Sequence, residues 1–173
     1  YISLAYSYFS YFTVNVNARI DGSNKFGDQS NDKLLPVWSA SANWNLTEHE
    51  WLKNDWLDFL SLKASFGYQG NMLEGQSPVL VIKTGTFNTH YNEYTSSIER
   101  YPNPGLKWEK TTSYNLGMDF SLFQSKLQVD ASVYWKHTED AFMTKTIATM
   151  NGVRKNSYVV NGGDIDIQGY SVH

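Results

Sequence analysis

The 173-residue sequence contains no cysteine, so it holds neither a disulfide framework nor a thiolate metal site. It has no apolar run near the ~18 residues that a transmembrane helix needs, so a membrane protein with this sequence would have to cross with strands. An excess of basic residues is also missing, because 14 Lys and Arg stand against 17 Asp and Glu, for a net charge of −3. This balance argues against a nucleic-acid partner.

Aromatic residues, in contrast, are abundant. They make up 16% of the chain, with 12 Tyr, 9 Phe and 6 Trp. Tyr, Trp and Phe favour β-strands, and Trp and Tyr are enriched where a protein crosses the interface between lipid and water. The composition therefore favours β-structure and is compatible with a membrane interface.

A strict alternation of apolar and polar residues dominates the sequence from Tyr114 to Leu122 and again from Leu127 to Lys136. Period-two alternation predicts strands with one apolar and one polar face, and the short polar break between the two stretches predicts a hairpin. About ten residues is long for a strand of a soluble domain, but it is the length that crosses a bilayer when the strand is tilted.

The same alternation predicts seven strands in all. Besides the central pair, they cover residues 2–8, 12–21, 38–46 and 60–69 and a last stretch that begins near Gly163. The connections are short at 9–10, 47–56 and 123–125, and long at 22–35, 70–107 and 138–161. Short turns at one end, long loops at the other and an apolar face over successive strands are typical of a transmembrane antiparallel β-barrel. A soluble β-sandwich is the alternative, because its strands alternate as well.

The phase of the alternation predicts which side chains share a face. One set should face lipid: Val14, Val16, Ala42, Leu62, Met118, Val129 and Val133. The other set should face the lumen: Asn15, Arg19, Ser41, Lys63, Asp119 and Asp130.

Two connections carry a local signal. Thr47 followed by Glu50 has the pattern of a capping box, which predicts a short helix that ends near Asn54. A short strand is expected over 79–83, inside the long polar region that follows the fourth strand.

The last strand has an irregular pattern, because Ile165 and Ile167 are out of phase with Tyr170 and Val172. A β-bulge or a late strand start would each explain this, and both explanations stay open.

Residue patterns for catalysis are missing. His49, His90, His137 and His173 are dispersed, without the spacing of a metal-binding pair. The alternate carboxylates of 164–166 lack the other ligands of a calcium loop. We therefore predict no catalytic residue, no metal site and no cofactor, and a protein that is not an enzyme.

Six stretches together resemble one family. They are DGSNKFG at 21–27, LPVWSAS at 35–41, SFGYQGN at 65–71, NPGLKWEKT at 103–111, VYWKHTED at 133–140 and NGGDIDIQGY at 161–170. Their order and spacing resemble the barrel of SusC/RagA-type TonB-dependent (TonB-linked) outer-membrane transporters of Bacteroidota, and the Asn-Pro-x-Leu-Lys-Trp-Glu stretch is the most specific. The sequence departs from the family at Leu35, Val37, Gly105 and Ser171, where Phe, Ser, Asp and Glu are usual.

The resemblance implies a fold and a function. Residues 1–173 would form one partial β-barrel domain, an internal fragment of about seven strands from a barrel of about 22 with a plugged lumen. The plug domain and the TonB box would be absent. The whole transporter would be a multi-pass barrel in the outer membrane of a Gram-negative bacterium, in contact with its lipid. It would import oligosaccharides or peptides with a SusD-like surface lipoprotein, powered by the TonB-ExbB-ExbD complex through the missing plug.

Two other functions stay open at this point. A soluble β-sandwich would suit a carbohydrate-binding module, and a barrel without a plug would be a porin-like channel that works without TonB.

The family motifs are interpreted as structural features at strand ends, where Trp38 and Trp108 suit an interfacial aromatic girdle. Ligand contacts are expected in the long loops instead. The candidate ligand-binding residues are Tyr91, Tyr94 and Tyr101, which would stack on sugar rings or pack against a lid.

Overall fold

A computed structural model describes residues 1–24, 33–52, 54, 56–73, 77–148 and 157–173. Seven of the strands in these ranges form one antiparallel sheet in the order β1-β2-β3-β4-β7-β8-β9, and β5 and β6 pair only with each other. The strands are β1 (Ile2–Tyr8), β2 (Phe12–Gly22), β3 (Leu34–Asn45), β4 (Leu57–Asn71), β5 (Val81–Asn88), β6 (Glu93–Arg100), β7 (Glu109–Leu122), β8 (Leu127–Thr146) and β9 (Ser157–Val172). The predicted all-β, antiparallel seven-stranded fold is confirmed. The sheet does not close on itself within this chain, since β1 and β9 are its edges.

The pairing register confirms the two predicted faces. One row across six strands joins Val14, Ala42, Ala64, Leu116, Val133 and Tyr170. The next row joins Asn15, Ser41, Ser65, Asn115, Tyr134 and Gly169. Because neighbouring residues of a strand point to opposite sides, the first row belongs to an apolar face and the second to a polar face.

The segregation of loop lengths is only partly confirmed. At one end of the sheet, turns at 9–11 and 123–126 join β1 to β2 and β7 to β8. The second turn has three successive residues, Phe123 to Ser125, with positive φ of 55 to 61°. It is tied to β4, because the Ser125 amide donates to Asp58 Oδ2 at 2.9 Å. The connections 23–33, 72–108 and 147–156 lie at the other end, which we call the rim, and 72–108 is by far the longest, but 46–56 at the short-turn end is as long as 23–33.

The connection from β3 to β4 differs from the prediction. It contains two 3₁₀ turns, Leu46–Glu48 and Glu50–Leu52, instead of one helix that runs to Asn54. The predicted capping box is wrong: Asn45 takes the N-cap position without a side-chain bond, and the Thr47 hydroxyl instead faces the Leu60 amide at 3.4 Å. The Thr47 hydroxyl thus accepts a hydrogen bond from β4 and does not cap a helix.

Among the described residues, no helix has both the length and the apolar character to cross a membrane.

Two long regions predicted as loops contain strands. The short strand expected over 79–83 is β5, which begins at Val81, runs on to Asn88 and forms a hairpin with β6. The region 138–161 is mostly strand, because β8 continues to Thr146 and β9 begins at Ser157. Alternation identified only the parts of strands with one apolar face, and the extensions break it, because Phe142 and Met143 in β8 and Val159 and Val160 in β9 are adjacent apolar residues.

The irregular pattern in β9 has neither of the expected explanations. The strand begins early, at Ser157, and its pairing with β8 is regular from Ile165 to Val172. The register shift lies before this stretch, at Thr138–Phe142 of β8. Ile165 and Ile167 therefore lie on the polar face, and Asp166 and Gln168 lie on the apolar face.

The sandwich alternative requires a second sheet against the apolar face. In the described ranges the second sheet is the two-stranded β5–β6 hairpin, which belongs to a connection at the rim. Apolar side chains of the main sheet accordingly stay exposed, such as Leu4 (65%) and Leu116 (54%). A sandwich is excluded as the architecture of these strands.

Candidate functional site

The polar face of the sheet is covered with hydrogen-bonding side chains. Ser3 donates to Asn17 at 2.7 Å, and Asn115 donates to Ser65 at 3.1 Å. The hydroxyls of Ser132 and Ser171 are 2.8 Å apart, and Lys63 pairs with Asp119 between β4 and β7. A surface of small polar groups and paired charges makes a poor protein core, but it is what the inner wall of a water-filled barrel presents.

The apolar face is bounded by aromatic side chains near the rim. The ring of Trp38 lies 4.7 Å from that of Phe66, and Phe66 lies 4.8 Å from Tyr114. Trp135 of β8 is the cross-strand partner of Tyr114. Trp38 lies in this row, and its position at an interface between lipid and water stays a prediction.

A second aromatic group lies at the short-turn end. Phe12 and Trp44 are cross-strand partners, and the Trp44 indole N–H donates to His49 Nε2 at 3.1 Å. Tyr11 stacks on the same imidazole at 4.8 Å. On β3, which carries a residue of each aromatic group, Trp38 and Trp44 enclose the apolar-face positions Ala40 and Ala42.

Charged residues appear on the apolar face immediately beyond the upper aromatic row. His137 lies two residues after Trp135, and its Nδ1 is 2.6 Å from Asp166 Oδ1 on β9. The Asp166 side chain is 82% exposed. An exposed carboxylate is unsuited to hydrocarbon, so this pair marks an end of the apolar part of this face. The hydrogen bond to Asp166 raises the pKa of His137, and the negative charges of Asp166, Glu139 and Asp164 add to this effect.

The rim contains a compact buried cluster, which we call the rim cluster. Leu106 is fully buried, and Leu35 and Trp108 are 3% and 7% exposed. Gly70 lies against the cluster, and a side-chain carbon at this position would overlap Leu35 Cδ2. The prediction that Trp108 belongs to an exposed aromatic girdle is therefore wrong, because the packing of the family motif against β3 and β4 covers its ring.

Polar residues from three of the six motif stretches form a second structure, which we call the clasp: Asn103, Lys107, Asp140 and Asn161. The Asn161 side chain accepts a hydrogen bond from the Lys107 amide at 3.1 Å and donates to the Lys107 carbonyl at 2.9 Å. Lys107 Nζ lies 2.7 Å from Asp140 Oδ1, and Asn103 donates to the Val159 carbonyl at 3.1 Å. The clasp fastens the segment before β7 to the rim ends of β8 and β9.

The β5–β6 hairpin, which we call the arm, carries two of the three candidate ligand-binding residues. Tyr91 and Tyr94 are both 70% exposed at the end of the arm. Tyr94 packs edge-to-face on Phe87 at 5.2 Å, and Tyr91 packs in the same way on His90 at 5.0 Å. These contacts hold the rings by one edge and leave most of their surface open.

Tyr101 is not part of this group. It follows β6 where the chain returns to the sheet, and its ring lies 5.9 Å from Tyr158 of β9. Its hydroxyl is buried. The structure therefore brings together two of the predicted tyrosines and places the third in a packing position.

Sequence reasoning missed two contributors. Phe87 supports Tyr94. The predicted strand stopped at Lys83, and a strand continued to Phe87 would have indicated this contact. Asn161 was part of a recognised motif, but its partners are 21 and 54 residues away. No local pattern encodes such a long-range contact.

The described residues include no group of three or more His, Asp or Glu side chains that could hold a metal ion. Within the clasp, the side chains of Lys107, Asp140 and Asn161 are engaged with each other or with the backbone, and Asn103 is engaged with the Val159 carbonyl.

Comparison with known proteins agrees with this architecture. The model of the family described as "TonB dependent receptor-like, beta-barrel" matches residues 1–172. TonB-dependent receptor P26 of Formosa agariphila is 27% identical over 170 residues, which cover 96% of this chain and 17% of that protein. TonB-dependent receptor SusC of Bacteroides thetaiotaomicron is 27% identical over 144 residues, which cover 79% of this chain and 14% of SusC.

Solved structures show the same fold. The RagAB peptide importer in its closed-closed state superposes with a TM-score of 0.83 at 23% identity, over 97% of this chain and 18% of that one. In the open-open state the TM-score is 0.76. This chain thus spans less than a fifth of the length of the proteins it matches. The chain belongs to the TonB-dependent receptor-like β-barrel family, and its relatives there include transporters of the SusC/RagA type.

Proposed function

We propose that this chain supplies seven neighbouring strands to the wall of an outer-membrane transporter that imports oligosaccharides or peptides. The observation that carries the proposal is the two-faced sheet, which has an apolar face between two aromatic levels and a hydrogen-bonded polar face behind it. The apolar face would contact lipid, and the polar face would line a lumen closed by a plug. The complete barrel would have about 22 strands, and the TonB-ExbB-ExbD complex would supply energy through the plug.

The rim would face the cell exterior, because long loops of such barrels are extracellular and short turns are periplasmic. The arm would then stand at the outer mouth, where Tyr91 and Tyr94 offer open aromatic faces for a sugar ring or an apolar peptide side chain. A SusD-like surface lipoprotein would close this mouth from above. Peptide is supported by the fold neighbour that is a peptide importer, and oligosaccharide is what the sequence resemblance to SusC/RagA-type transporters implies.

Orientation is tested with single cysteines in the full-length transporter. Leu116 and Asn115 are adjacent in β7 but point to opposite faces. We expect Leu116→Cys to react with a lipid-soluble maleimide and Asn115→Cys to react with a water-soluble one. Equal labelling of both positions by either reagent would contradict the proposed membrane orientation.

Substrate class and energy coupling are tested by uptake into cells. Parent cells and cells without TonB receive labelled oligosaccharide and labelled peptide mixtures, and accumulation is measured. We expect one of the two mixtures to accumulate only when TonB is present. Accumulation of both mixtures without TonB would identify a porin-like channel instead.

Recognition and partner binding are tested with a variant in which a short Gly-Ser linker replaces the arm, Val81–Arg100. We expect the barrel to assemble, while substrate binding at the cell surface or co-purification of the SusD-like lipoprotein falls. If both stay at the parental level, recognition does not involve the arm.

A further inference from the structure

We propose that the clasp fixes the posture of the arm over the mouth of the barrel, and that Asn161 is the positioning residue. The inference concerns where the arm is held, so it does not depend on which substrate the transporter takes. It also assigns a role to the most specific motif of the sequence, whose residues 103–108 precede β7 and so lie outside the wall.

The arm is a separate structural unit. Its two strands pair with each other and with no described strand of the main sheet. It is joined to the sheet through two stems, the segment that follows β4 and the segment 101–108 that precedes β7. The stems meet where the Asn103 amide donates to the Ser77 carbonyl at 3.2 Å. Contacts that fix Asn103 and its neighbours therefore fix both stems.

The Asn161 carboxamide forms the same pair of hydrogen bonds with the backbone of the second stem that a neighbouring strand would form. It accepts from the amide of Lys107 and donates to the carbonyl of the same residue, at 3.1 and 2.9 Å. It also donates to the Asp140 carbonyl at 2.9 Å, so one side chain joins the stem, β8 and β9. The site requires an acceptor and two donors on a short side chain, which asparagine supplies. Aspartate has the same shape but lacks the donors.

A backbone irregularity in β8 directs the second attachment. The register shift between Thr138 and Ala141 coincides with a positive φ of 57° at Asp140. A β-bulge changes the direction in which a side chain points. Asp140 thus reaches the Lys107 ammonium at 2.7 Å, while Asn103 binds the Val159 carbonyl on β9. The stem is fastened to the β8–β9 hairpin at three places.

These attachments lie outside the lipid-facing band. Asp140 and Asn161 are beyond His137 and Asp166, where β8 and β9 extend towards the rim. None of the pairings that build the wall depends on the Asn161 side chain. Its loss should therefore loosen the arm and leave the barrel assembled, while Leu106 and Trp108 stay packed in the rim cluster.

The test is a distance measurement in the full-length transporter with native cysteines removed. Nitroxide labels at Ser96 on the arm and Lys145 on β8 report the arm posture by double electron–electron resonance. A second pair, Lys126 and Lys145, reports β8 alone. We expect a narrow Ser96–Lys145 distribution in the parent, at least a twofold broader one in Asn161→Ala and Asn161→Asp, and an unchanged Lys126–Lys145 distribution.

Asn45→Ala is the matched control, since Asn45 also donates from its side chain to a backbone carbonyl, that of Ser10, but at the short-turn end. It should leave the Ser96–Lys145 distribution at the parental width. Parental width in both Asn161 variants, with heat-modifiable folded barrels on gels, would overturn the proposal.

Should the Asn161 variants fail to assemble, Lys107→Met decides, because it removes the ion pair and keeps the carboxamide contacts. A broadened distribution in this variant supports the clasp as the anchor, and a parental width overturns it.

Discussion

The wall between the two aromatic levels and the rim above it follow different rules of construction. In the wall, side chains alternate between two faces and stay partly exposed on both, so the wall has no core of its own. At the rim, Leu35, Leu106, Trp108 and Ala141 are nearly or fully buried, and they are four of the five buried hydrophobic residues in the described part of the chain. The rim resembles a small soluble domain, because long-range contacts between apolar side chains form its core.

This difference separates two sources of stability. The wall gains little from contacts within the chain beyond its backbone pairing, and in the proposed barrel it would contact lipid on one side and water or a plug on the other. The rim would lie beyond the proposed lipid-facing band, and it buries its own apolar groups. The same substitution should therefore have different effects in the two regions.

The largest expected effect comes from Leu106→Ala compared with Leu116→Ala. Leu106 is fully buried, so its truncation leaves a cavity and should cost about 2–5 kcal/mol of rim stability. Leu116 faces outward, where lipid fills the space, and its truncation should cost only the transfer free energy, about 1–2 kcal/mol. Urea unfolding of the full-length transporter in lipid vesicles, followed by Trp fluorescence, measures both. Equal losses would mean that the two regions do not differ.

An introduced charge should destabilise the wall more on its apolar face than on its polar face. Leu116→Arg places a guanidinium in the lipid-facing band and should cost about 2–4 kcal/mol near the midplane, whereas Asn115→Arg on the polar face should cost about 0–1 kcal/mol. Folded yield in vesicles and the urea midpoint report the difference. A larger loss for Asn115→Arg would reverse the assignment of the faces.

At the arm, single aromatic truncations should have moderate effects on binding. Tyr91→Ala or Tyr94→Ala removes one stacking partner, worth about 0.5–1.5 kcal/mol, so affinity should fall about two- to tenfold. Tyr101→Ala is the control, since this ring packs on Tyr158 and should affect rim stability without changing affinity. Titration calorimetry with the imported substrate measures all three. A loss of affinity confined to Tyr101→Ala would move the site from the arm to its stem.

The smallest expected effect is the pH dependence of the His137–Asp166 pair. Because the folded-state pKa of His137 is raised, its stabilisation is fully present below the unfolded value of about 6.5 and is lost as pH rises through the folded value. The urea midpoint of the parent should therefore fall slightly on going from mildly acidic to mildly alkaline pH. Asp166→Asn should flatten this change. An identical pH profile in the variant would show that the pair does not contribute.

Much of the wall was predictable from the sequence, because neighbouring residues carry the alternation that specifies a strand and its two faces. Alternation from Tyr114 to Lys136 fixes strand, face and hairpin together, since period two allows only one register with apolar residues on one side. The extensions of β8 and β9 were not predictable in this way. Apolar residues such as Phe142 and Met143 fall on both of their faces and the β8–β9 register shifts at 138–142, so backbone pairing continues where the alternation ends.

The candidate site divides in the same manner. Tyr91 and Tyr94 were found as exposed aromatics in a long polar segment, but only the structure shows that β5 and β6 present them together and that Tyr101 is elsewhere. Trp108 looked like an interfacial residue, and packing against Leu35 and Gly70 decided otherwise.

The sequence by itself determined an antiparallel sheet with an apolar and a polar face, because strand periodicity is written in neighbouring residues. The tertiary structure alone decided the rim cluster and the clasp. Their partners, such as Lys107 with Asn161 or Leu35 with Leu106, are far apart in the chain. Contacts of this kind depend on which strand ends the folded sheet brings together, and no local pattern of residues specifies them.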